Sequence, residues 1–467
     1  MADIFSRVHQ AHAGDTFLIV GFGQWTGPAA ARFLERCGLP YAISDCAAMD
    51  ELAPRLAGLS PRHVYGGPQT ADHLDGITAV LLSPGVPRTI APVRAAVLAG
   101  LPVWGDLDFL LPMLDRPKLI GVSGTDGKTT TVTLLGEICS RFGKTVVCGN
   151  NGLPVMDSAG ALDAADFAVV EVSSFMLEHT RRLRFDASVI LNIAQDHVDR
   201  YESLESYRQA KLNIFAHARK MDVFLRNADD PALRDVVPSS GRVRDFGLDL
   251  NPFDAASDAF VLRGQSLPVT SCRLQGRQFL PDLLATLVIS DELGFAPGPV
   301  METIREFPGV PHRFRTVGEP AGVRVIDDSK ATSVQAVAAA LDSCPIPRTV
   351  VLLGGREKHL DFRPLADRAA RCAGVVCYGE AGERIQRELG LRDMTPSDED
   401  MIQGRAQAIY ISDFREAVRR ACTIVPRPGC LLLSPGCTSW DQFQNYEVRG
   451  RVFAEEAIRA LAVEPHP

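Results

Sequence analysis

Short aliphatic and β-branched runs alternate along this chain with longer segments whose apolar positions recur at helical spacing. The first set of runs is Phe17-Leu18-Ile19-Val20, Tyr41-Ala42-Ile43-Ser44-Asp45, Ala79-Val80-Leu81-Leu82 and Pro102-Val103-Trp104, with a helical stretch over 28–36. A second set lies at 118–120, 145–148, 167–172, 189–193 and 223–225, interleaved with helical stretches at 131–142 and 203–219. The third comprises 323–326, 349–353, 375–378 and 431–433, the first of them followed by an alanine-rich helix. Strands alternating with helices predict an α/β fold with mostly parallel sheets. At 467 residues the chain suits about three domains. The breaks in the rhythm place them at 1–105, 106–310 and 311–467.

Parallel sheets carry their chemistry at the carboxyl ends of the strands, and there the polar outliers fall. Gly121-Val122-Ser123-Gly124-Thr125-Asp126-Gly127-Lys128-Thr129-Thr130 joins a strand to a helix. Backbone amides and a helix N-terminus in such a loop cradle phosphates, the lysine reaches the terminal ones, and the first hydroxyl after it suits Mg²⁺. Val122 stands where the full G-x-x-x-x-G-K-[ST] pattern has its first glycine. Upstream, Gly21-Phe22-Gly23-Gln24-Trp25-Thr26-Gly27 and the acid Asp45 resemble the opening of a dinucleotide-binding fold with its third glycine displaced by one. A nucleotide site and a plain strand-to-helix turn are both compatible with that spacing.

Three further residues stand out in the second segment. Glu171 ends an apolar strand as a candidate hard ligand for Mg²⁺, or as a helix cap. His197 follows the strand at 189–193 by a short loop, and Asn150 ends another strand. Lys211 falls on the stripe formed by Leu204, Tyr207, Ile214 and Phe215. An inward lysine must be paired, neutralised or modified, unless it snorkels to the rim. In the third segment Lys330, Thr332, Lys358, Ser439 and Tyr446 lie at or just beyond strand ends, where cations and hydroxyls suit an anionic ligand. Arg313, beside His312, reaches a phosphate or caps the linker.

Composition narrows the class. With 46% hydrophobic and 23% charged residues the chain reads as soluble and globular, and a net charge of −8 argues against a nucleic-acid partner. The eleven cysteines form no C-x-x-C pair and read as small buried hydrophobes. No signal pattern opens the chain and no run is long enough to span a bilayer, so a cytoplasmic protein without membrane insertion is expected. A monomer is expected as well.

Taken in order, Gly124-Thr125-Asp126-Gly127-Lys128-Thr129-Thr130, Glu171-Val172-Ser173-Ser174-Phe175, Asp196-His197-Val198-Asp199-Arg200-Tyr201, Pro311-His312-Arg313-Phe314, Asp328-Ser329-Lys330-Ala331-Thr332 and Leu432-Leu433-Ser434-Pro435 resemble the Mur ligases of peptidoglycan synthesis, and among them the D-glutamate-adding branch. The resemblance implies a Rossmann-like N-terminal domain for the UDP-substrate, a central P-loop ATPase domain and a Rossmann-like C-terminal domain for the amino acid. It implies ATP-dependent joining of D-glutamate to UDP-N-acetylmuramoyl-L-alanine through an acyl phosphate, with Mg²⁺.

By the same resemblance Gly124, Thr125, Asp126, Gly127, Lys128, Thr129, Thr130, Arg313 and Asp328 serve ATP, while Gly23, Thr26, Asp45, Ser83 and Asn150 serve the UDP-substrate. Thr332, Lys358, Ser439 and Tyr446 would hold glutamate. Thr129 and Glu171 would hold one metal ion, and His197 with a carbamylated Lys211 a second; Lys128, Glu171, His197 and Lys211 are the catalytic set. Departures from the family pattern include Gly276-Arg277-Gln278-Phe279-Leu280-Pro281 where Gly-x-His-Asn is usual, Met176, Gln195, Ser333, Trp440 and Tyr446. Three other readings are a related ligase using another amino acid such as L-glutamate, a catalytically silent nucleotide-binding regulator, and an NAD-dependent dehydrogenase.

Overall fold

The computed structural model describes residues 2–150, 153–194, 196, 200–250, 252–274, 276–393 and 407–462. Two compact units emerge, one made of Met1–Cys272 with Leu280–Arg305, the other of Arg273–Phe279 with Glu306–Pro467.

The first unit holds two parallel sheets. Strands β1 (Phe17–Val20), β2 (Tyr41–Asp45), β3 (Val64–Gly66), β4 (Ala79–Leu82) and β5 (Val103–Trp104) form one, in the order β3-β2-β1-β4-β5. Every residue of β1, β2 and β4 is buried, as expected of strands covered by helices on both faces. The order reverses between β1 and β4, which opens a crevice between the loop at Gly21 and the loop at Ser83.

The second sheet contains β6 (Lys118–Ser123), β7 (Thr145–Gly149), β8 (Phe167–Glu171), β9 (Ala187–Ile190), β10 (Val223–Asn227) and β11 (Arg242–Phe246), ordered β11-β10-β9-β6-β8-β7. The phosphate-type loop leaves β6 at the centre, flanked by the ends of β8 and β9. Its helix is Lys128–Ser140, three residues earlier at its start than the apolar periodicity suggests, because Gly127 at φ 82° lets the backbone turn straight into the helix. A small antiparallel sheet, β12 (Phe253–Asp254), β13 (Ala259–Leu262) and β14 (Gln265–Pro268), was not anticipated; its strands are short and carry Pro and Gly turns that mask the alternation.

The helical stretch at 203–219 also proves shorter. Its helix is Leu204–Leu212, capped by Ser203 and Ser206, and a 3₁₀ turn Asn213–Phe215 follows. Leu204 is 46% exposed and leaves the apolar stripe, whereas Tyr207, Lys211 and Ile214 are buried.

In the second unit β15 (Arg315–Gly318), β16 (Val323–Asp327), β17 (Thr349–Gly354), β18 (Gly374–Tyr378), β19 (Arg392–Asp393), β20 (Gln407–Ile411) and β21 (Gly429–Gly436) form one sheet, ordered β15-β16-β21-β17-β18-β20-β19. Among the described strands of this sheet, only the β15 pairing is antiparallel. Arg449, on the closing helix Tyr446–Ala462, is wholly buried and stitches the carboxyl ends of these strands together. It donates to the Ser329 hydroxyl and carbonyl (3.0 and 2.8 Å), the Cys437 carbonyl (3.0 Å) and the Tyr378 hydroxyl (3.4 Å). Removing it leaves those acceptors buried and unpaired, so Arg449→Ala is expected to cost about 3 kcal/mol or more in urea unfolding. A loss below about 1 kcal/mol would show that water replaces the guanidinium.

Candidate functional site

The phosphate-type loop is held open by its own backbone partners. Thr125 donates its amide to the Asn192 carbonyl (3.0 Å), and the Asp126 amide donates to the Asn192 side chain (2.8 Å), tying the loop to the end of β9. Gly127 admits no side chain: a Cβ there would lie 2.0 Å from a carboxylate oxygen of Asp282, a buried acid on the helix Leu280–Glu292. That acid and its contact are invisible to local pattern, since the two residues are far apart in sequence.

Around the loop the second segment's candidates converge. The Thr129 hydroxyl donates to one oxygen of Glu171 (2.9 Å), and the Asn150 amide donates to the other (3.0 Å). Glu171 is 2% exposed at the end of β8, and the helix after it is capped by Ser173, so the acid is not the cap. Lys128 folds back to the carbonyls of Gly124 (2.7 Å) and Thr125 (2.6 Å).

Lys211, 1% exposed, donates to the same Gly124 carbonyl at 2.8 Å and lies 4.6 Å from the Tyr207 ring centre. Burial first, and the Lys128 charge second, hold its amine well below the ordinary lysine range. It does not snorkel. His197 lies outside the described residues, as do Gln195, Asn151 and Gly152.

The hydroxyl–carboxylate pair of Thr129 and Glu171 is an all-oxygen donor set suited to Mg²⁺. Among the described residues no three His, Cys, Asp or Glu side chains gather as a metal cage, so phosphate and water would complete such a site. Two lysine nitrogens and a helix N-terminus at one loop suit a polyphosphate.

A cavity of about 490 Å³ within the first unit runs between its two parallel sheets. Gly23, Thr26, Asp45, Ser83 and Asn150 all line it, so the five residues expected at the UDP-substrate meet in one place. Asp45 nevertheless spends its carboxylate on backbone, accepting from the amides of Phe22 and Ala47. Gly27 keeps the close-packing role of a third glycine despite its shift: a Cβ would come within 2.7 Å of the Gly21 carbonyl. Asp106, also on the wall, was missed; wholly buried, its carboxyl is pushed up to about 6 by desolvation. Only its place directly after the β5 strand signalled it.

In the second unit the remaining candidates spread over adjoining loops. The Lys358 ammonium donates to the Thr332 carbonyl (3.2 Å), and the Lys330 ammonium sits 4.0 Å from the Tyr446 ring centre. Ser439 is buried just beyond β21. Asp328 is turned inward, accepting from the Phe314 amide (3.0 Å) and the Ser434 hydroxyl (2.8 Å), and burial raises its carboxyl to about 7. It orders the loop that follows Arg313. Trp440 is exposed.

With this geometry, residues 122–279 match the model of the Mur ligase middle domain, and 312–437 that of the Mur ligase, glutamate ligase domain. The chain is 34% identical to the UDP-N-acetylmuramoylalanine–D-glutamate ligase of Anaeromyxobacter dehalogenans (strain 2CP-C), over 97% of this chain and 98% of that one. It is 36% identical to the enzyme of the same name from Methylobacillus flagellatus, over 94% and 95%. The chain belongs to the Mur ligase family. Solved Mur ligases share the fold at low identity. MurF from Acinetobacter baumannii has TM-score 0.61 at 15% identity, covering 97% of this chain and 98% of that one. The Thermotoga maritima MurF ligase in complex with ADP has TM-score 0.57 at 16%, covering 90% and 95%.

The buried amine sets a pH signature. The unfolded chain binds a proton at Lys211 below the usual lysine value of 10.5, while the folded chain does not until a lower pH. Stability from this group is therefore complete above 10.5 and is lost as pH falls toward the depressed value. In bicarbonate-free buffer the wild type should gain stability relative to Lys211→Met as the pH rises toward 10.5 in urea unfolding. Parallel stability curves would place a charged lysine in the fold.

Proposed function

We propose that this chain is an ATP-dependent ligase that joins D-glutamate to UDP-N-acetylmuramoyl-L-alanine, forming an amide, ADP and phosphate. The observation that carries the reading is the convergence of Lys128 and Lys211 on one carbonyl of the phosphate loop, beside Thr129 and Glu171. The relatives' shared name and near-complete coverage support the substrates. Residues 1–105 take the UDP end, 106–310 ATP, and 311–467 glutamate. The reaction belongs to the cytoplasm, and the chain acts as a monomer.

A carboxylate oxygen of the alanyl end attacks the γ-phosphorus and ADP departs; the glutamate amine then attacks the acyl carbon and phosphate leaves. The obstacle is bringing a carboxylate to a phosphate, both anionic. Lys128 and the amides opening the helix Lys128–Ser140 offset the phosphate charge. Mg²⁺, held by Thr129 and Glu171, supplies further neutralisation when bound. Asn150 fixes the Glu171 carboxylate and lines the cavity that receives the acceptor. Arg313 and Asp328 are assigned to ATP, and Thr332, Lys358, Ser439 and Tyr446 to the glutamate carboxylates; Lys358 and Thr332 already touch.

Lys211 is assigned a carbamate. A neutral amine adds to CO₂ and releases a proton, converting a buried cation into an oxygen ligand. The lowered proton affinity of Lys211 supports that addition. His197 joins it at a second metal ion on the strength of the resemblance.

Phosphate release should require UDP-N-acetylmuramoyl-L-alanine and glutamate together, and equal release without either would overturn the ligase reading. Across an amino-acid panel D-glutamate should be preferred; L-glutamate preferred would redirect the assignment within the family. Glu171→Gln should lower kcat about 10²-fold or more with little change in unfolding midpoint. Labelled bicarbonate should give a carbamate NMR signal that disappears in Lys211→Arg, and a signal that survives would remove the carbamate from this residue.

A further inference from the structure

Nine of the eleven cysteines are buried, Cys46 is exposed and Cys344 is half-buried. Two of them meet in the second unit. The sulfurs of Cys344 and Cys430 lie 3.9 Å apart, at thiol hydrogen-bond distance, although 86 residues separate them in sequence. Cys344 follows the helix Val334–Asp342, its amide bonded to the Leu341 carbonyl at 3.0 Å. Cys430 lies at the start of β21, paired in register with Arg324 on β16 and with Thr349 on β17. The Cys344 thiol, and after it the Arg324 guanidinium, favour the thiolate of Cys430, while the same contact raises Cys344. The two thiols are hydrogen-bonded to each other, one in a half-buried residue and the other buried beside a cation.

We propose that Cys344 and Cys430 form a redox-modifiable dithiol that closes to an intramolecular disulfide under hydrogen peroxide. The contact favours the thiolate on Cys430; transfer of the Cys344 proton to it moves the charge to Cys344, the half-buried member of the pair, which then meets peroxide. That thiolate breaks the O–O bond and becomes a sulfenic acid, releasing hydroxide. Cys430 then attacks the Cys344 sulfur, the S–OH bond breaks, and water leaves. The hydroxide takes up the proton lost when the thiolate formed, so in sum two thiols lose two electrons and two protons, and peroxide becomes two waters.

A disulfide requires the sulfurs to close from 3.9 Å to about 2.05 Å. The bond would staple the end of the helix that begins next to Thr332 to the start of the strand that runs on to Ser439. Both residues stand in the glutamate set, but the crosslink itself is read by mass and does not depend on the ligase assignment.

The test treats the reduced full-length protein with a few equivalents of peroxide, followed by non-reducing peptide mapping. A Cys344–Cys430 crosslinked peptide, two hydrogens lighter and restored by dithiothreitol, should appear before Cys46 is overoxidised. Cys344→Ser should abolish it and leave Cys430 as a free thiol. Absence of the crosslink while Cys46 oxidises, or Cys344 or Cys430 captured mainly by another cysteine such as Cys372, would overturn the proposal.

Discussion

Two lysines donate to the carbonyl oxygen of Gly124, and the arrangement around the phosphate-type loop turns on that crowding. Two ammonium groups a few ångströms apart repel each other, and burial adds to the cost of charging the second. The fold accepts this at Lys211 because the helix Leu204–Leu212 presents the residue inward while Tyr207 and Ile214 fill the space around it. A neutral amine or an anionic adduct relieves the repulsion, and so does a phosphate between the two nitrogens. The strain thus points to the ligand class before any relative is named.

The surrounding architecture keeps that arrangement in place. The loop leaves the central strand of a six-stranded parallel sheet, so Glu171 on one neighbouring strand and Asn192 beyond the other can both reach it. Asn150 then links the phosphate loop to the cavity, because its amide holds Glu171 while the residue itself lines the wall with Gly23, Thr26, Asp45 and Ser83. Loop and cavity share a side chain rather than merely a neighbourhood. In the second unit Arg449 does comparable work for the strand-end loops, donating to the Ser329 and Cys437 carbonyls.

Features encoded by local spacing were legible in the sequence. The phosphate loop, the parallel alternation and the inward position of Lys211 each follow from residues within a turn or two of one another. Features made by distant contacts were not. Arg449 sits 120 residues from Ser329, so nothing local marks it as buried rather than solvated. Asp282 against Gly127, Asp106 on the cavity wall and the thiol pair escaped for the same reason. Leu204 shows the converse error: periodicity placed it on the stripe, but as the first helical residue beyond its cap it faces water. Asp45 shows that a correctly placed residue can have a different duty, since its oxygens are committed to the amides of Phe22 and Ala47.

In the proposed mechanism a phosphate passes from the loop to a carboxylate. Oxygen-18 in both carboxylate oxygens of UDP-N-acetylmuramoyl-L-alanine tests this directly. One labelled oxygen should appear in the released phosphate and one should remain in the amide, because the bridging oxygen of an acyl phosphate leaves with phosphorus. Released phosphate carrying no label from the substrate would contradict the mechanism.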